Sequence, residues 1–511
     1  EEAGDRLRMD FPNRTTTDVN SERINMSENE IVNSAAKISW KQGMFVALGV
    51  PLLILPSLFD ISHLVWGMSI VVWVVSVLQG FAQNLAYGEM STCFPQAVGL
   101  PGCAQEVFTD KNSTSRFNKG KFIGAFCAWC YWFAWTVVVM IFGMLIADYL
   151  TQMFSWELEG WTAVGFYGIV MVAILGLMYA LSSRGIENGA KLSMILAIVS
   201  IVPMVVILIG AFAIGMFSFD NIVTEITPSD WSWSLGDVAL LLGCLAIAQW
   251  SACGWETAAI YGPQYEKPAR DVPKALMSCG FICLALYFFV SFSVYGSLGI
   301  DGINDAGYAT LVPIAEAVFG QAGSYVALAL LVMAMILIVQ TGFLGSSLTL
   351  NSLASEKNMP AWFGKKNKYN MPTNSMLFVG LFNLALTLII AISGSVMGSS
   401  DTIMTILSAG SIGYAIANGV ALTAHYVMNT SPKFKDIETP FRLPKGWKYL
   451  SLCMLILQIA FIPCIVYWSW VLSGGFMPAI VGAIVLLAYI PVWMATQKSE
   501  SVEAPASSDA E

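Results

Sequence analysis

The chain has 511 residues, 56% of them hydrophobic and only 12% charged, with a net charge of −9. Its mean hydropathy is +0.67. A soluble globule carries roughly twice that charged fraction, and the basic residues are spread between apolar blocks instead of gathered in a patch, so nucleic-acid binding has no support.

A bilayer-spanning helix needs about 20 mostly apolar residues. Twelve such blocks run along the chain, near 41–60, 64–89, 121–151, 162–182, 187–217, 235–262, 272–298, 321–355, 374–394, 401–427, 448–472 and 475–496. The expected architecture is an all-α membrane protein of twelve spans. It divides into a cytoplasmic N-terminal segment over 1–38, a transmembrane domain over 39–497 and a cytoplasmic tail over 498–511. Both ends read as solvated polar segments, although Ser27 and Glu30 have the spacing of a capping box that would open a helix. No cleavable signal peptide is expected, because the first apolar run starts only after Trp40 and is followed by many others.

Lys and Arg mark the cytoplasmic side of a membrane protein. All 25 fall before span 1, in the even-numbered connections (2–3, 4–5, 6–7, 8–9, 10–11) or after span 12, and the odd-numbered connections have none. A miscounted span would scramble this alternation. The expectation is a multi-pass plasma-membrane protein with both termini inside. The sequons at Asn13, Asn25, Asn112 and Asn429 then lie on the side that is not glycosylated. Ten cysteines read as small packing residues; Cys127 and Cys130 form a CxxC inside a span with no second ligand pair, so no metal or redox role is expected.

Two spans interrupt themselves. Gly49-Val50-Pro51 lies in the middle of span 1, and Ser251 to Glu256, with Gly254, lies in the middle of span 6. One break alone reads as a proline kink or a packing glycine. Two breaks five spans apart match the inverted-repeat transporters, in which substrate binds between half-helix ends.

The residues around these breaks resemble the amino acid–polyamine–organocation superfamily over roughly 40–480. The resemblance rests on Gly49 to Ser57, on Tyr87-Gly88-Glu89-Met90 with Phe94 to Gly99, and on Arg184-Gly185-Ile186. It rests further on Gly254-Trp255-Glu256 with Lys267 to Ala275, and on Thr439 to Pro444. It implies a LeuT-like fold, with two inverted five-helix repeats plus two extra helices, helices 1 and 6 discontinuous, working by alternating access.

A mid-span carboxylate is costly and functional by default, so Glu256 is the candidate for coupling or gating, with a structural acid as the plain alternative. The segment Trp250 to Glu256 is similar to that of the arginine/agmatine antiporters, which implies that Trp250 packs on substrate and that Glu256 serves proton sensing or gating. The candidate binding set is Gly49, Val50, Pro51, Tyr131, Trp135, Trp250, Cys253, Gly254, Phe343 and Tyr414. Tyr131 and Trp135 are four residues apart on one helix face, and an aromatic box would hold a cation by its ring faces. In a chain that is 12% aromatic, ordinary core packing is the alternative.

Pro51 has no N–H, which removes one donor that the family pattern offers a substrate carboxylate. Ser200 stands where many proton-coupled members have lysine. Ser346 and Ser347, adjacent hydroxyls in span 8, would join Ser200 as sodium ligands if the coupling ion is Na⁺; small residues at helix contacts are the alternative.

The expected function is secondary active transport of a small amino acid or amine, coupled to H⁺ or Na⁺ or run as exchange. A carrier of an amine or organic cation lacking a carboxylate, and a substrate sensor without transport, stay open. A channel is a further alternative. An enzyme is not expected, since no metal-ligand cluster or nucleophile–base pair is visible. No cofactor is expected beyond the coupling ion. The partners are a small molecule and the bilayer, with a homodimer left open.

Overall fold

Each of the twelve apolar blocks forms a helix long enough to cross a bilayer: Trp40–Val65, Met68–Cys93, Lys119–Phe154, Gly160–Ser182, Ile186–Ala213, Leu235–Gln264, Pro268–Ala309, Gln321–Ser355, Thr373–Ser395, Ile406–Thr430, Trp447–Leu472 and Ala479–Lys498. They are spans 1 to 12. The structure, a computed structural model, describes residues 37–110, 117–397, 402–437, 439–473 and 475–503. The capping-box motif at 27–30 and the sequons at Asn13, Asn25 and Asn112 lie outside them.

Local signals set the helix ends. Asn118 caps span 3 by accepting from the Lys121 N–H, and Ser234 and Asp237 form a reciprocal capping box at the start of span 6. Span 7 was expected to end near 298. Its helix instead kinks at Gly299, where φ is +64°, and runs on to Ala306. That backbone conformation is cheap only for glycine. The last helix continues to Glu503, several residues past the apolar block, because a helix end needs no apolar residues once it leaves hydrocarbon.

Spans five apart in sequence pack on each other: 3 on 8, 2 on 7 and 4 on 9. Between apolar helices in lipid there is little hydrophobic drive, so close approach and dispersion hold them. Glycines mark the contacts. A Cβ on Gly80 of span 2 would lie 2.5 Å from Cys253 Sγ, and one on Gly413 of span 10 would lie 2.9 Å from the Cys130 carbonyl oxygen. Span 9 is tied to span 3 by Asn383, which accepts from the Met140 N–H (3.1 Å) and donates to Thr136 Oγ1 (3.1 Å). Span 3 is 94% buried over its most apolar stretch, whereas spans 4 and 12 are 28% buried. Their outward residues, such as Ile169, Val172 and Ile484, form the apolar surface that lipid covers.

Candidate functional site

Both interrupted spans change helix type where the sequence breaks. Span 1 is α-helical over Trp40–Ala47, tightens into a 3-10 turn at Val50–Leu53 and resumes as an α-helix at Ile54–Val65. Span 6 is α-helical over Leu235–Ala252 and then 3-10 over Gly254–Gln264. Eleven residues of 3-10 helix is long, since its hydrogen-bond geometry is poorer and runs beyond three or four residues are uncommon. The Glu256 N–H reaches the Cys253 carbonyl at only 3.5 Å.

Neighbouring spans take up the loosened backbone groups. The Tyr287 hydroxyl of span 7 lies 3.0 Å from the Val50 carbonyl and 2.7 Å from the Ser251 carbonyl, with Ser251 Oγ at 3.2 Å. A single phenol therefore joins the two breaks. Asn84 of span 2 donates to the Cys253 carbonyl (3.0 Å). Thr341 of span 8 donates to the Val46 carbonyl (2.8 Å). Neighbouring Gly49 is pressed against span 8: a Cβ there would sit 2.7 Å from Thr341 Oγ1 and 3.0 Å from the Leu337 carbonyl.

Above the span 6 break the aromatic residues gather. Trp135 stacks near Trp250 (centroids 6.3 Å, 23°) and meets Tyr414 edge-on (6.2 Å, 89°), and Tyr131 lies 6.3 Å from Trp135. Phe142 stacks on Trp250 from the other side (6.3 Å, 17°). Tyr131, Trp135 and Phe142 come from one face of span 3. Gly254 admits the Trp135 ring, since a Cβ there would fall 2.4 Å from Cη2 and 3.4 Å from Val50 Cγ1.

Glu256 opens the 3-10 half of span 6 and is fully buried. Its Oε1 accepts from the Tyr131 hydroxyl (3.3 Å), and Trp135 and Tyr414 also face the carboxyl. Among the described residues the other oxygen, Oε2, makes no close, well-aligned hydrogen bond, nor do the Trp135 indole N–H and the Tyr414 hydroxyl that face the carboxyl. A buried unpaired carboxylate is strongly unfavourable, so this oxygen calls for a proton or a cation. Tyr131, Trp135 and Tyr414 are 1% exposed and Trp250 is 2% exposed, so the group is closed to solvent.

The expected residues do not all converge. Gly49, Val50, Pro51, Tyr131, Trp135, Trp250, Gly254, Glu256 and Tyr414 lie around the two breaks. The thiol of Cys253 points away from them, to the Ser76 carbonyl of span 2 (3.4 Å). The Phe343 ring is turned toward Gly380 of span 9. Ser346 and Ser347 donate back into their own helix, to the carbonyls of Gly342 (2.6 Å) and Phe343 (2.7 Å). Ser200 is buried and has no hydrogen-bond partner among the described residues. The span 8 hydroxyl that touches the span 1 break is Thr341. Asn84 could have been found from the cost of an amide inside a span, whereas Tyr287, in an aromatic run, carries no local signal.

The architecture and the paired breaks define a multi-pass membrane transporter of LeuT-like fold. A solved manganese transporter from Eremococcus coleocola shares it, with a TM-score of 0.58 over 92% of this chain and 98% of that one, at 12% identity. The chain belongs to the amino acid permease family, whose model matches residues 38–495. It is 25% identical over 409 residues to the arginine/ornithine antiporter ArcD2 of Lactococcus lactis, covering 74% of this chain and 78% of that protein. It is 22% identical over 424 residues to the glutamate/serine transporter AimA of Bacillus subtilis, covering 80% and 72%.

Proposed function

We propose that this amino acid transporter carries a cationic amino acid by exchange, with the cationic side chain held by Glu256 and the faces of Trp135, Trp250 and Tyr414. The single observation that carries this reading is the buried Glu256 carboxyl, with one oxygen making no close, well-aligned hydrogen bond among the described residues, inside a cluster of aromatic rings. Ring faces attract cations by about 0.5–2 kcal/mol each, and a carboxylate pairs a guanidinium or ammonium. The kinship to an arginine/ornithine antiporter supports the same reading. An anionic side chain, such as that of a glutamate substrate, would meet Glu256 as a like charge.

When the site is empty of substrate, a proton takes the place of the cation on Glu256, which would make exchange and proton binding alternatives at one carboxyl. Ser346 and Ser347 donate within their own helix and keep lone pairs that can face a cation, so these bonds do not decide between sodium and proton coupling. The run of basic connections supports termini on the cytoplasmic side.

Binding of L-arginine to purified protein, followed by calorimetry, tests the site. Trp250→Ala should weaken binding about tenfold or more. Glu256→Gln should weaken it at least as much. Unchanged affinity in both variants would discard this site.

A further inference from the structure

The chain has two histidines, and one of them is buried in a charged cluster that does not include Glu256. His425 of span 10 is fully buried, and its Nε2 lies 2.9 Å from Glu89 Oε2 of span 2, itself only 1% exposed. On the other side of the ring, Nδ1 lies 2.9 Å from Ser451 Oγ of span 11. Asn429, one turn along span 10, places Nδ2 3.2 Å from Nε2 and donates to the His425 carbonyl (3.1 Å). The second Glu89 oxygen faces Arg442 Nε at 3.6 Å, and Arg442 is 45% exposed. The thiol of Cys93 lies near both Glu89 and Arg442. The ionisable groups facing the imidazole cluster are therefore Glu89 directly, with Arg442 and Cys93 behind it. Span 11 contributes the neutral Ser451.

We propose that Glu89, His425 and Ser451 form a proton-binding site, separate from Glu256, whose occupancy sets how firmly span 2 docks on spans 10 and 11 and so tunes transport. Nε2 faces a carboxylate and carries a hydrogen in either state, so Asn429 Nδ2 spends its hydrogen on the His425 carbonyl and only lies beside Nε2. Nδ1 faces a hydroxyl, and a hydroxyl both donates and accepts. In the neutral ring Ser451 donates to Nδ1. One proton taken from solution adds to the Nδ1 lone pair, no other bond breaks, and Ser451 turns from donor to acceptor. Both ring nitrogens keep a partner in either form, and beside an ionised Glu89 the pair passes from net −1 to neutral.

Half-exposed Arg442 marks where water comes closest to the pair. Span 2 carries the consequence to the substrate site. It is one continuous helix over Met68–Cys93, tied to span 10 by Glu89 and by the Tyr87–Asn418 hydrogen bond. Through Asn84 it also holds the Cys253 carbonyl at the span 6 break. Strengthening or weakening the Glu89–His425 contact thus acts on the helix that steadies the break.

The proposal needs transport but not a particular substrate, and its first test uses none. Protein labelled with [15N]histidine gives two imidazole signals, assigned with His63→Gln. Followed from about pH 5.5 to 8.5, the His425 signals should change from those of a protonated ring to those of a neutral one, and Ser451→Ala should displace that change. A ring held in one form across the range, or a midpoint indifferent to Ser451→Ala, overturns the site. In proteoliposomes with equal pH on both sides, L-arginine exchange by the wild type should vary about fivefold over that range, and by less than about twofold in His425→Gln. A wild-type profile in His425→Gln overturns the regulatory role. Should that variant fail to fold, Ser451→Ala is read in the same assay, and an unshifted profile overturns it equally. Absence of L-arginine exchange in the wild type would fall on the substrate reading and leave the spectroscopic result intact.

Discussion

Tyr287 shows how much a single hydroxyl holds in this site. It is fully buried and reaches one carbonyl from each interrupted helix. Inside hydrocarbon neither carbonyl has water as a substitute. Tyr287→Phe keeps the ring, its packing against Trp73 (5.4 Å) and the fold, and removes the tie between the breaks. Leaving buried carbonyls without a partner costs about 1–3 kcal/mol of stability, so the variant should melt at a lower temperature and bind L-arginine about tenfold more weakly; an unaltered melting temperature and affinity would show that the tie shapes neither the fold nor the site. Glu256 was legible in the sequence because a carboxylate inside an apolar run stands out. Tyr287 was not, because a tyrosine between apolar residues looks like any other core aromatic. Phe343 shows the opposite error: span 8 alone does not reveal which face meets span 9 and which meets span 1.

The interrupted helices are sealed by contacts between elements. Just before span 1, Ile38 pairs with the end of span 6: its N–H donates to the Gln264 carbonyl (2.9 Å) and its carbonyl accepts from Glu266 (3.0 Å). Tyr265 then tucks under Gly43 of span 1 and donates to the Ala258 carbonyl (2.9 Å). A Cβ on Gly43 would lie 1.9 Å from the Tyr265 hydroxyl oxygen. Gly43→Ala should therefore force this seal apart and lower the melting temperature, overpacking of this sort costing about 1–3 kcal/mol; a melting temperature equal to that of the wild type would mean that the seal absorbs the methyl.

At the far end of span 8, Glu356 follows the helix and bonds Ser352 (3.1 Å). Burial pushes its carboxyl up from 4.5 to about 7. The folded protein thus holds this proton more tightly than the unfolded chain. The stabilisation is whole below pH 4.5 and is lost as pH rises through about 7. Glu356→Gln should match the wild type in melting temperature near pH 4 and exceed it near pH 8, and equal melting temperatures at both would contradict the sign. The positions of the breaks were legible from Gly49-Val50-Pro51 and from Gly254. The 3-10 form of the second half of span 6 was not, because the groups that take up carbonyls at and after the break, Asn84, Tyr287 and Tyr265, lie outside the segment.

For the whole molecule, sequence and structure agree where hydrophobic physics decides alone. Each apolar block became a span, and the charge pattern already required an even count. The pairing of spans five apart follows from the repeat that the two breaks announced. The proposed site draws on groups brought together from spans 1, 3, 6, 7 and 10, which no local pattern encodes. The central claim is that Glu256 and its aromatic neighbours carry a cationic amino acid. Its most direct test is exchange in proteoliposomes loaded with L-ornithine and offered labelled L-arginine. The account predicts saturable uptake that depends on internal L-ornithine and falls at least about tenfold in Glu256→Gln. Uptake indifferent to internal L-ornithine, or undiminished in Glu256→Gln, would contradict it.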